Sequence, residues 1–229
     1  MRGESLPHNL KTSPPHNLKP MYKHLLIICS LLLSSITAFA QTGKEVLDAT
    51  SKLLTKSTAT RVVFTGTNFS GTQETGNFSG TIVLKGSKYN LESDMIRAWF
   101  DGETLWTIFN GSEEVNVSLP TEQEIQTMNP LYFINLYKQG FSLTCDKMDY
   151  NGTPAYIVKM LPADAATSIA EMSVIVSQAT NLPLSIRMKK GTDWFRIRIS
   201  ECELNLKFDD AFFRFDQGLF PSYDMIDLR

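Results

Sequence analysis

A period-two alternation of apolar and polar residues dominates the sequence and restricts the fold to β-sheet architectures. It begins at Val62 and Phe64 and recurs in short runs as far as Lys207. Because successive side chains of a strand point to opposite faces, this alternation is typical of strands with one buried face. Dipeptides rich in Gly, Asn and Asp separate the runs at the spacing of tight turns. The sequence therefore predicts an antiparallel meander of about ten or eleven strands.

Recognisable turns bound most of these strands. The turn dipeptides are Gly86-Ser87, Asp101-Gly102, Asn110-Gly111, Asn151-Gly152, Thr180-Asn181 and Lys190-Gly191. The clearest predicted strands are Ile96–Phe100, Thr104–Phe109, Glu114–Leu119, Ser142–Met148, Thr153–Leu161, Glu171–Gln178, Leu182–Lys189 and Trp194–Lys207. In the last strand the apolar phase moves from odd to even positions, which predicts a bulge near Ser200-Glu201. The aromatic-rich tail from Phe212 to Arg229 is predicted to be irregular.

A sheet of this size is expected to twist and curl. A closed barrel of about eight strands fills itself with side chains, whereas a wider one leaves a cavity or needs a plug. We therefore predict a mainly β (α+β) fold with a strongly curved antiparallel sheet of about 10–11 strands, in which helical inserts serve as plugs.

Helical patterns are confined to the start and the middle of this region. Apolar residues recur at helical spacing from Gly43 to Ser57, which predicts an amphipathic helix. In the middle, Pro120-Thr121 and Asn129-Pro130 each open a short helical stretch, and Gly140 ends the second one. Apolar side chains cover most of this second helix, although a surface helix needs only one apolar stripe. The excess predicts contact on two sides, or contact with something that is not always present. A further helical or irregular piece is predicted at Asp164–Ala170.

The first 40 residues have the layout of an export signal. From Met21 to Ala40, a basic start precedes an apolar run and a small-residue stretch, which predicts a signal peptide cleaved after Ala40. A transmembrane anchor is the alternative, but polar residues interrupt the run before the roughly 20 apolar residues that a span needs. Residues 1–20 contain two copies of a Pro-His-Asn-Leu-Lys motif. We interpret them as the result of a start codon assigned too far upstream, or as a short disordered extension. We expect the mature chain, residues 41–229, to be a single periplasmic domain.

Loss of the first 40 residues would remove every histidine. The three are His8, His16 and His24. Histidine-dependent catalysis and histidine-ligated metal sites are then excluded, so we expect no enzyme, no metal and no cofactor. Carboxylate pairs remain as candidates for catalysis, but acids in strands and turns are usually only solvated. These pairs are Asp94 with Asp101 and Glu113 with Glu114.

Charge and cysteine content limit the partners and the redox chemistry of the mature chain. Residues 1–40 carry four basic and one acidic side chain, which leaves 18 Lys and Arg against 23 Asp and Glu, a formal charge of −5. Nucleic-acid binding needs a basic surface and is not expected. Cys145 and Cys202 are the mature cysteines. A disulfide between them is compatible with an oxidising periplasm, and two separate thiols are the alternative.

Several short motifs resemble the periplasmic outer-membrane lipoprotein carrier protein LolA and its relatives. Residues 101–106 read Asp-Gly-Glu-Thr-Leu-Trp, similar to the family's Asp-Gly-x-Thr-Leu-Trp hairpin. Asn129-Pro130 with the helix that ends at Gly140-Phe141 resembles the more divergent branches. Phe213-Arg214-Phe215-Asp216, followed by Pro221, resembles the closing Phe-x-Phe segment. The order of elements is similar over nearly the whole mature chain, which implies that the strongly curved sheet forms an open half-barrel of about 10–11 strands with a helical lid. None of these motifs is catalytic, so they indicate a fold more directly than an activity.

The resemblance implies a periplasmic carrier that shields lipoprotein acyl chains in an apolar cavity and transfers them toward the outer membrane. The implied partners are the acyl chains, an inner-membrane donor complex and an outer-membrane acceptor, and we expect a monomer. Burial of an acyl chain gains about 0.8 kcal/mol per CH₂, so such cargo needs cover in water. The predicted lipid-binding residues are Phe64, Ile82, Leu84, Leu91, Trp99, Leu105 and Val117 on the cavity wall, with Leu131, Ile134 and Leu136 on the lid.

One departure from the family concerns the lid. A Lys-Arg-Pro turn in the family supplies an arginine that latches the lid, whereas the corresponding turn here reads Lys85-Gly86-Ser87. The expected latch is therefore missing. A periplasmic sensor or scaffold for lipids or lipoproteins on the same fold is the alternative function.

Overall fold

Helix α1 (Gly43–Lys56) opens the part of the chain that the computed structural model describes, which comprises residues 41–121, 124, 134–163 and 169–229. The helix begins with a capping box. The Glu45 amide donates to the Thr42 hydroxyl, and the Thr42 amide donates to the Glu45 carboxylate. The predicted N-terminal helix is therefore confirmed. The predicted signal peptide lies outside the described residues. Among the helices in these ranges, none is long and apolar enough to cross a membrane.

Twelve strands of the described chain form one open sheet. They are β1 (Thr60–Ser70), β2 (Gln73–Lys85), β3 (Lys88–Ser93), β4 (Ile96–Phe100), β5 (Leu105–Phe109), β6 (Glu114–Ser118), β7 (Phe141–Tyr150), β8 (Thr153–Pro162), β9 (Glu171–Ser177), β10 (Pro183–Lys190), β11 (Asp193–Glu203) and β12 (Asp224–Asp227). Their order is β12-β6-β5-β4-β3-β2-β1-β11-β10-β9-β8-β7. Neighbours pair antiparallel except β12 and β6, which are parallel. The antiparallel, mainly β prediction is thus confirmed, with β7 and β12 at the edges.

Local turn and bulge chemistry follows the sequence closely. Asn151 and Gly152 join β7 to β8 with φ values of 52° and 82°, the left-handed pair of a two-residue hairpin turn. In β11, Glu201 pairs with Val63 and Ile199 pairs with Phe64, so that Ser200 is an extra residue. The predicted bulge near Ser200-Glu201 is therefore confirmed.

The C-terminal tail departs from the prediction. Two short 3₁₀ helices, Asp210–Phe213 and Gln217–Leu219, lead to β12. The Leu228 amide donates to the Val117 carbonyl at 2.8 Å and extends the β12–β6 pairing. The prediction of an irregular tail is wrong for β12, because a four-residue strand with a distant parallel partner has no alternation of its own to reveal it.

One face of the sheet, called the inner face, carries the hydrophobic core. Cross-strand partners share a face, and the row Ile82, Leu91, Ala98 runs across β2, β3 and β4. On the other side of the sheet order, Val174 and Val158 continue the same core through β9 and β8. Both groups join one cluster with Val46, Leu47 and Leu54 of α1. A single cluster that spans strands so far apart requires the sheet to curl around the helix.

The opposite face, called the outer face, is covered by the tail over β3 and β4. The Trp99 ring contacts the Phe215 and Phe220 rings at centroid distances of 5.4 and 5.7 Å. The Asn90 side-chain amide donates to the Phe212 carbonyl at 2.8 Å. The tail therefore covers part of the outer face of β3 and β4.

The two cysteines lie on different strands, Cys145 on β7 and Cys202 on β11, and both are free, half-buried thiols. Burial raises the pKa of the Cys202 thiol to about 11. Of the two sequence-based alternatives, the structure has the separate thiols.

Candidate functional site

A cavity of about 530 Å³ lies at the β4–β6 end of the inner face. Its volume falls within the roughly 300–1,000 Å³ of typical ligand sites. Cross-strand pairing places Ile96 opposite Phe109 and Leu105 opposite Ser118, so the walls come from the face that carries the core. The lining residues are Ile96, Leu105, Thr107, Phe109, Ser118, Leu119, Pro120, Glu124, Leu228 and Arg229.

Large apolar side chains remain exposed around this cavity. Phe109 is 56% exposed, Leu119 55% and Leu228 62%. Covering such a patch with a ligand or a partner lowers the free energy, so an apolar patch of this kind marks a candidate binding surface. The arrangement can hold an apolar group against these side chains.

The first predicted lid stretch begins at the rim of the cavity. The Thr121 amide and hydroxyl each donate to Glu124 Oε2 at 2.8 Å, and the Glu124 amide donates to Thr121 Oγ1. This capping box is typical of a helix start. The hydrogen bond from the Thr121 amide, followed by that from its hydroxyl, lowers the pKa of the Glu124 carboxyl. The rim therefore carries a fixed negative charge beside the apolar wall.

The end of the second lid stretch is bound to α1 by a group of polar contacts, called the α1 latch. Ser51 Oγ donates to Asn135 Oδ1 at 2.7 Å, and Lys138 Nζ donates to the same oxygen at 2.9 Å. The Tyr137 hydroxyl donates to Asp48 Oδ1. These five residues join a helix and a lid segment that are more than 80 positions apart in the chain.

Charge strengthens the α1 latch. Hydrogen bonds from the Lys44 ammonium and the Tyr137 hydroxyl lower the pKa of the Asp48 carboxyl, in that order of size. Burial and the Asp48 carboxylate raise the pKa of Tyr137. The tyrosine therefore stays protonated and the aspartate stays ionised at neutral pH, which is the combination that a charge-assisted hydrogen bond needs.

Most of the predicted lipid-binding residues lie together on the inner face. Phe64, Ile82, Leu84, Leu105, Ile134 and Leu136 are buried in the core cluster, and Leu91 is partly buried against it. Only Leu105 of this set lines the cavity. Leu131 lies outside the described residues.

Two of the predicted wall residues lie on the outer face instead. Trp99 pairs with Trp106, and Trp106 pairs with Val117, so all three share one face. Trp99 contacts the tail aromatics, and Val117 is 3% exposed. The strand register is the reason. Phe100, and not Trp99, pairs with the inner-face residue Leu105, so Trp99 lies on the opposite face.

Sequence reasoning missed Phe109, Leu119 and Leu228 as cavity residues. The alternation contained a signal for Phe109, which lies four positions after Leu105 and therefore on the same face of β5. Leu119 follows the last residue of β6, and Leu228 follows the unpredicted β12, so no strand pattern pointed to either.

Two of the carboxylates considered for catalysis, Asp94 and Asp101, stabilise turns. Asp94 accepts hydrogen bonds from the Ser79 amide and hydroxyl. Asp101 accepts from the Thr104 and Glu103 amides and from Arg214. Burial opposes ionisation of Asp101, but these amide hydrogen bonds and the Arg214 charge outweigh it and lower the pKa of its carboxyl. Both acids therefore act as hydrogen-bond acceptors in the hairpins.

The turn that lacks the family's arginine holds the tail. Lys85 Nζ donates to the Phe208 carbonyl and to Asp210 Oδ1, both at 2.8 Å. Lys88 Nζ donates to Asp210 Oδ2 at 2.7 Å. Residues on both sides of the Gly86-Ser87 turn thus anchor the C-terminal segment on the outer face.

The chain is similar to several solved structures, and one of them has a TM-score high enough to support the fold. An uncharacterized conserved protein from Thermus thermophilus is similar with a TM-score of 0.54 and 10% identity, over 80% of this chain and 98% of that chain. A LolA superfamily protein from Nitrosomonas europaea has a TM-score of 0.39 and 10% identity, over 76% and 98%. The lipoprotein LppX from Mycobacterium tuberculosis has a TM-score of 0.46 and 10% identity, over 73% and 95%.

No curated protein matches the chain significantly. A family model described as outer membrane lipoprotein carrier protein LolA matches residues 33–192, which is more than half of the chain. The match includes α1 and the strands from β1 to β10. Together with the curled sheet around a helix and the apolar cavity on its inner face, it shows that this chain belongs to the LolA family.

Proposed function

We propose that this protein is a periplasmic carrier that holds the acyl chains of lipoproteins in its inner-face cavity and delivers them toward the outer membrane. The observation that carries the proposal is the 530 Å³ cavity with exposed apolar walls at the start of the lid. Each CH₂ of an acyl chain that enters it gains about 0.8 kcal/mol. The family description supports the same cargo.

The lid segment provides the competing surface that release requires. Ile134, Leu136 and Tyr137 fill part of the inner face with their own apolar side chains. An acyl chain that extends from the cavity under the lid must displace them, so bound cargo and closed lid compete for one surface. This competition keeps the affinity low enough for transfer to an acceptor.

In this proposal the α1 latch replaces the arginine latch of the family. It joins the lid to α1, whereas the turn at Lys85-Gly86-Ser87 anchors the tail. Lid opening then breaks the Tyr137–Asp48 and Ser51–Asn135 hydrogen bonds. The inner-membrane donor and the outer-membrane acceptor implied by the family are the proposed partners, and a monomer is the proposed carrier.

Release of newly made lipoproteins from membranes tests the carrier function. Purified protein is incubated with membranes that contain such lipoproteins, and a soluble one-to-one complex is expected. Leu119→Asn should reduce complex formation roughly tenfold, since it places a polar side chain on the cavity wall. Leu161→Asn is the matched control, because Leu161 of β8 is 51% exposed against 55% for Leu119 and does not line the cavity.

Three results would contradict the proposal. One is the absence of any lipoprotein in the soluble fraction, together with no acyl chains in a lipid extract of the protein. Another is an equal loss of binding in Leu119→Asn and Leu161→Asn. The third is recovery of a regulatory protein by crosslinking without lipid, which would favour the sensor or scaffold alternative.

A further inference from the structure

Three arginine side chains lie together on the outer face of β10 and β11. Arg187 lies directly opposite Arg196, and Arg198 follows two positions later on the same face. No Asp or Glu in the described ranges forms an ion pair with any of the three. Like charges opposite each other destabilise a sheet. The cluster therefore costs folding free energy that a bound anion would offset.

Aromatic side chains fix two of these guanidinium groups. Arg187 Cζ lies 3.9 Å from the centroid of the Trp194 ring, and Arg196 Cζ lies 4.9 Å from that of the Phe69 ring. Contact with a ring face orients the guanidinium plane and leaves its N–H donors available. Arg196 Nε is buried and has no hydrogen-bond partner among the described residues. A buried charged donor without a partner is costly, which points to an absent acceptor.

A concave surface accompanies the donors. A cavity of about 230 Å³ is lined by the three arginines together with Tyr150, Asn151 and Ser173. It is less than half the size of the 530 Å³ inner-face cavity and lies on the opposite face of the sheet. Its volume suits a small headgroup better than an acyl chain.

We infer that the Arg187–Arg196–Arg198 cluster is a binding site for a phosphate group, either in a free phosphate compound or in the headgroup of an anionic phospholipid. Three phosphate oxygens can accept from several guanidinium forks at once, whereas one carboxylate is matched by a single fork. The chain as a whole has a formal charge of −2, so this local cluster of three arginines is opposite in sign to the overall charge. The site goes beyond the proposed carrier function and does not depend on it.

Binding of inorganic phosphate and of lipid vesicles tests the site. Calorimetric titration with phosphate should show binding to the full chain, and the double variant Arg187→Gln/Arg198→Gln should bind at least roughly tenfold more weakly. Both side chains are exposed, so the variant should fold, as circular dichroism would verify. The matched control is Arg97→Gln, which removes an exposed arginine of β4 that already pairs with Glu92 at 3.7 Å.

Vesicle flotation separates the two sources of the phosphate group. Vesicles of phosphatidylglycerol in phosphatidylcholine that float with the wild-type protein but not with the double variant assign the site to a lipid headgroup. Phosphate binding without flotation assigns it to a free phosphate compound. Absence of both phosphate and vesicle binding would overturn the inference, as would an equal weakening in Arg97→Gln.

Discussion

At the scale of single residues, Gly80 sets how closely β2 approaches β3. A Cβ atom at this position would lie 2.7 Å from the Glu92 carbonyl oxygen and 2.8 Å from Ser93 Cβ. The oxygen belongs to the backbone of a paired strand, so it cannot move without disturbing the ladder. Gly80→Ala should therefore lower the free energy of unfolding by about 1–3 kcal/mol. Urea denaturation would show this as a lower midpoint with an unchanged slope.

Gly76 of the same strand provides the control for that substitution. A Cβ atom at Gly76 meets nothing within 4 Å. Gly76→Ala should leave stability unchanged or raise it by up to about 1 kcal/mol, because alanine restricts the unfolded chain. If both variants lose the same stability, the loss comes from strand flexibility and the steric account of Gly80 is wrong.

At the scale of elements, the α1 latch ties the lid segment to α1. Tyr137→Phe removes the hydrogen bond to Asp48 and keeps the ring among the core side chains. We expect amide exchange of residues 134–140 to increase roughly tenfold, because the variant loses a hydrogen bond to a charged, partly exposed carboxylate. Hydrogen exchange with mass spectrometry measures it. Tyr156→Phe is the control, because Tyr156 contacts the same core from β8.

The same latch should weaken in acid. The pKa of the Asp48 carboxyl is below its ordinary value in the folded protein. The contribution of ionised Asp48 to the stability of the latch is therefore fully present above the unfolded pKa of about 3.9. The contribution is lost as the pH falls through the lower folded pKa. Exchange of residues 134–140 in the wild type should therefore approach that of Tyr137→Phe in acid. A constant difference between the two proteins down to the acid transition would contradict the role of Asp48.

Elements differ in how far the sequence predicts them, and the reason is physical. Helix α1 and β1–β11 have an apolar face of their own, and the period of that face gives their type. The bulge at Ser200 was predictable because a shift of apolar phase has one simple cause. By contrast, β12 is held by backbone hydrogen bonds to a strand over 100 residues earlier, and this pairing leaves no local periodicity.

The site shows the same limit. Alternation predicts that Phe64, Ile82 and Leu84 share a buried face, and they do. It does not predict which side the lid and the tail cover, because β4 and β5 carry large apolar side chains on both faces. Trp99 and Leu105 were therefore assigned to one wall although their strand register places them on opposite faces.

At the scale of the whole molecule, each part of the sheet has a different covering. Away from the cavity at its β4–β6 end, the inner face is covered by α1 and by residues 134–140. The outer face of β3 and β4 is covered by the aromatic tail, while that of β10 and β11 carries the arginine cluster. This division places the proposed acyl-chain site and the proposed phosphate site on opposite sides of one sheet.

Removal of the tail should therefore expose an apolar surface that the rest of the molecule cannot cover. A chain ended after Lys207 loses the rings that cover Trp99 and the strand that pairs with β6. Each large apolar side chain that becomes exposed costs roughly 2 kcal/mol, and a contiguous patch favours self-association. Size-exclusion chromatography should show oligomers, with increased binding of the dye ANS.

A chain ended after Tyr223 separates the two effects, because it loses β12 but keeps the rings on Trp99. It should bind little dye, since the outer face stays covered. Dye binding and oligomer formation equal to those of the shorter chain would show that loss of edge pairing, rather than loss of face coverage, causes the self-association.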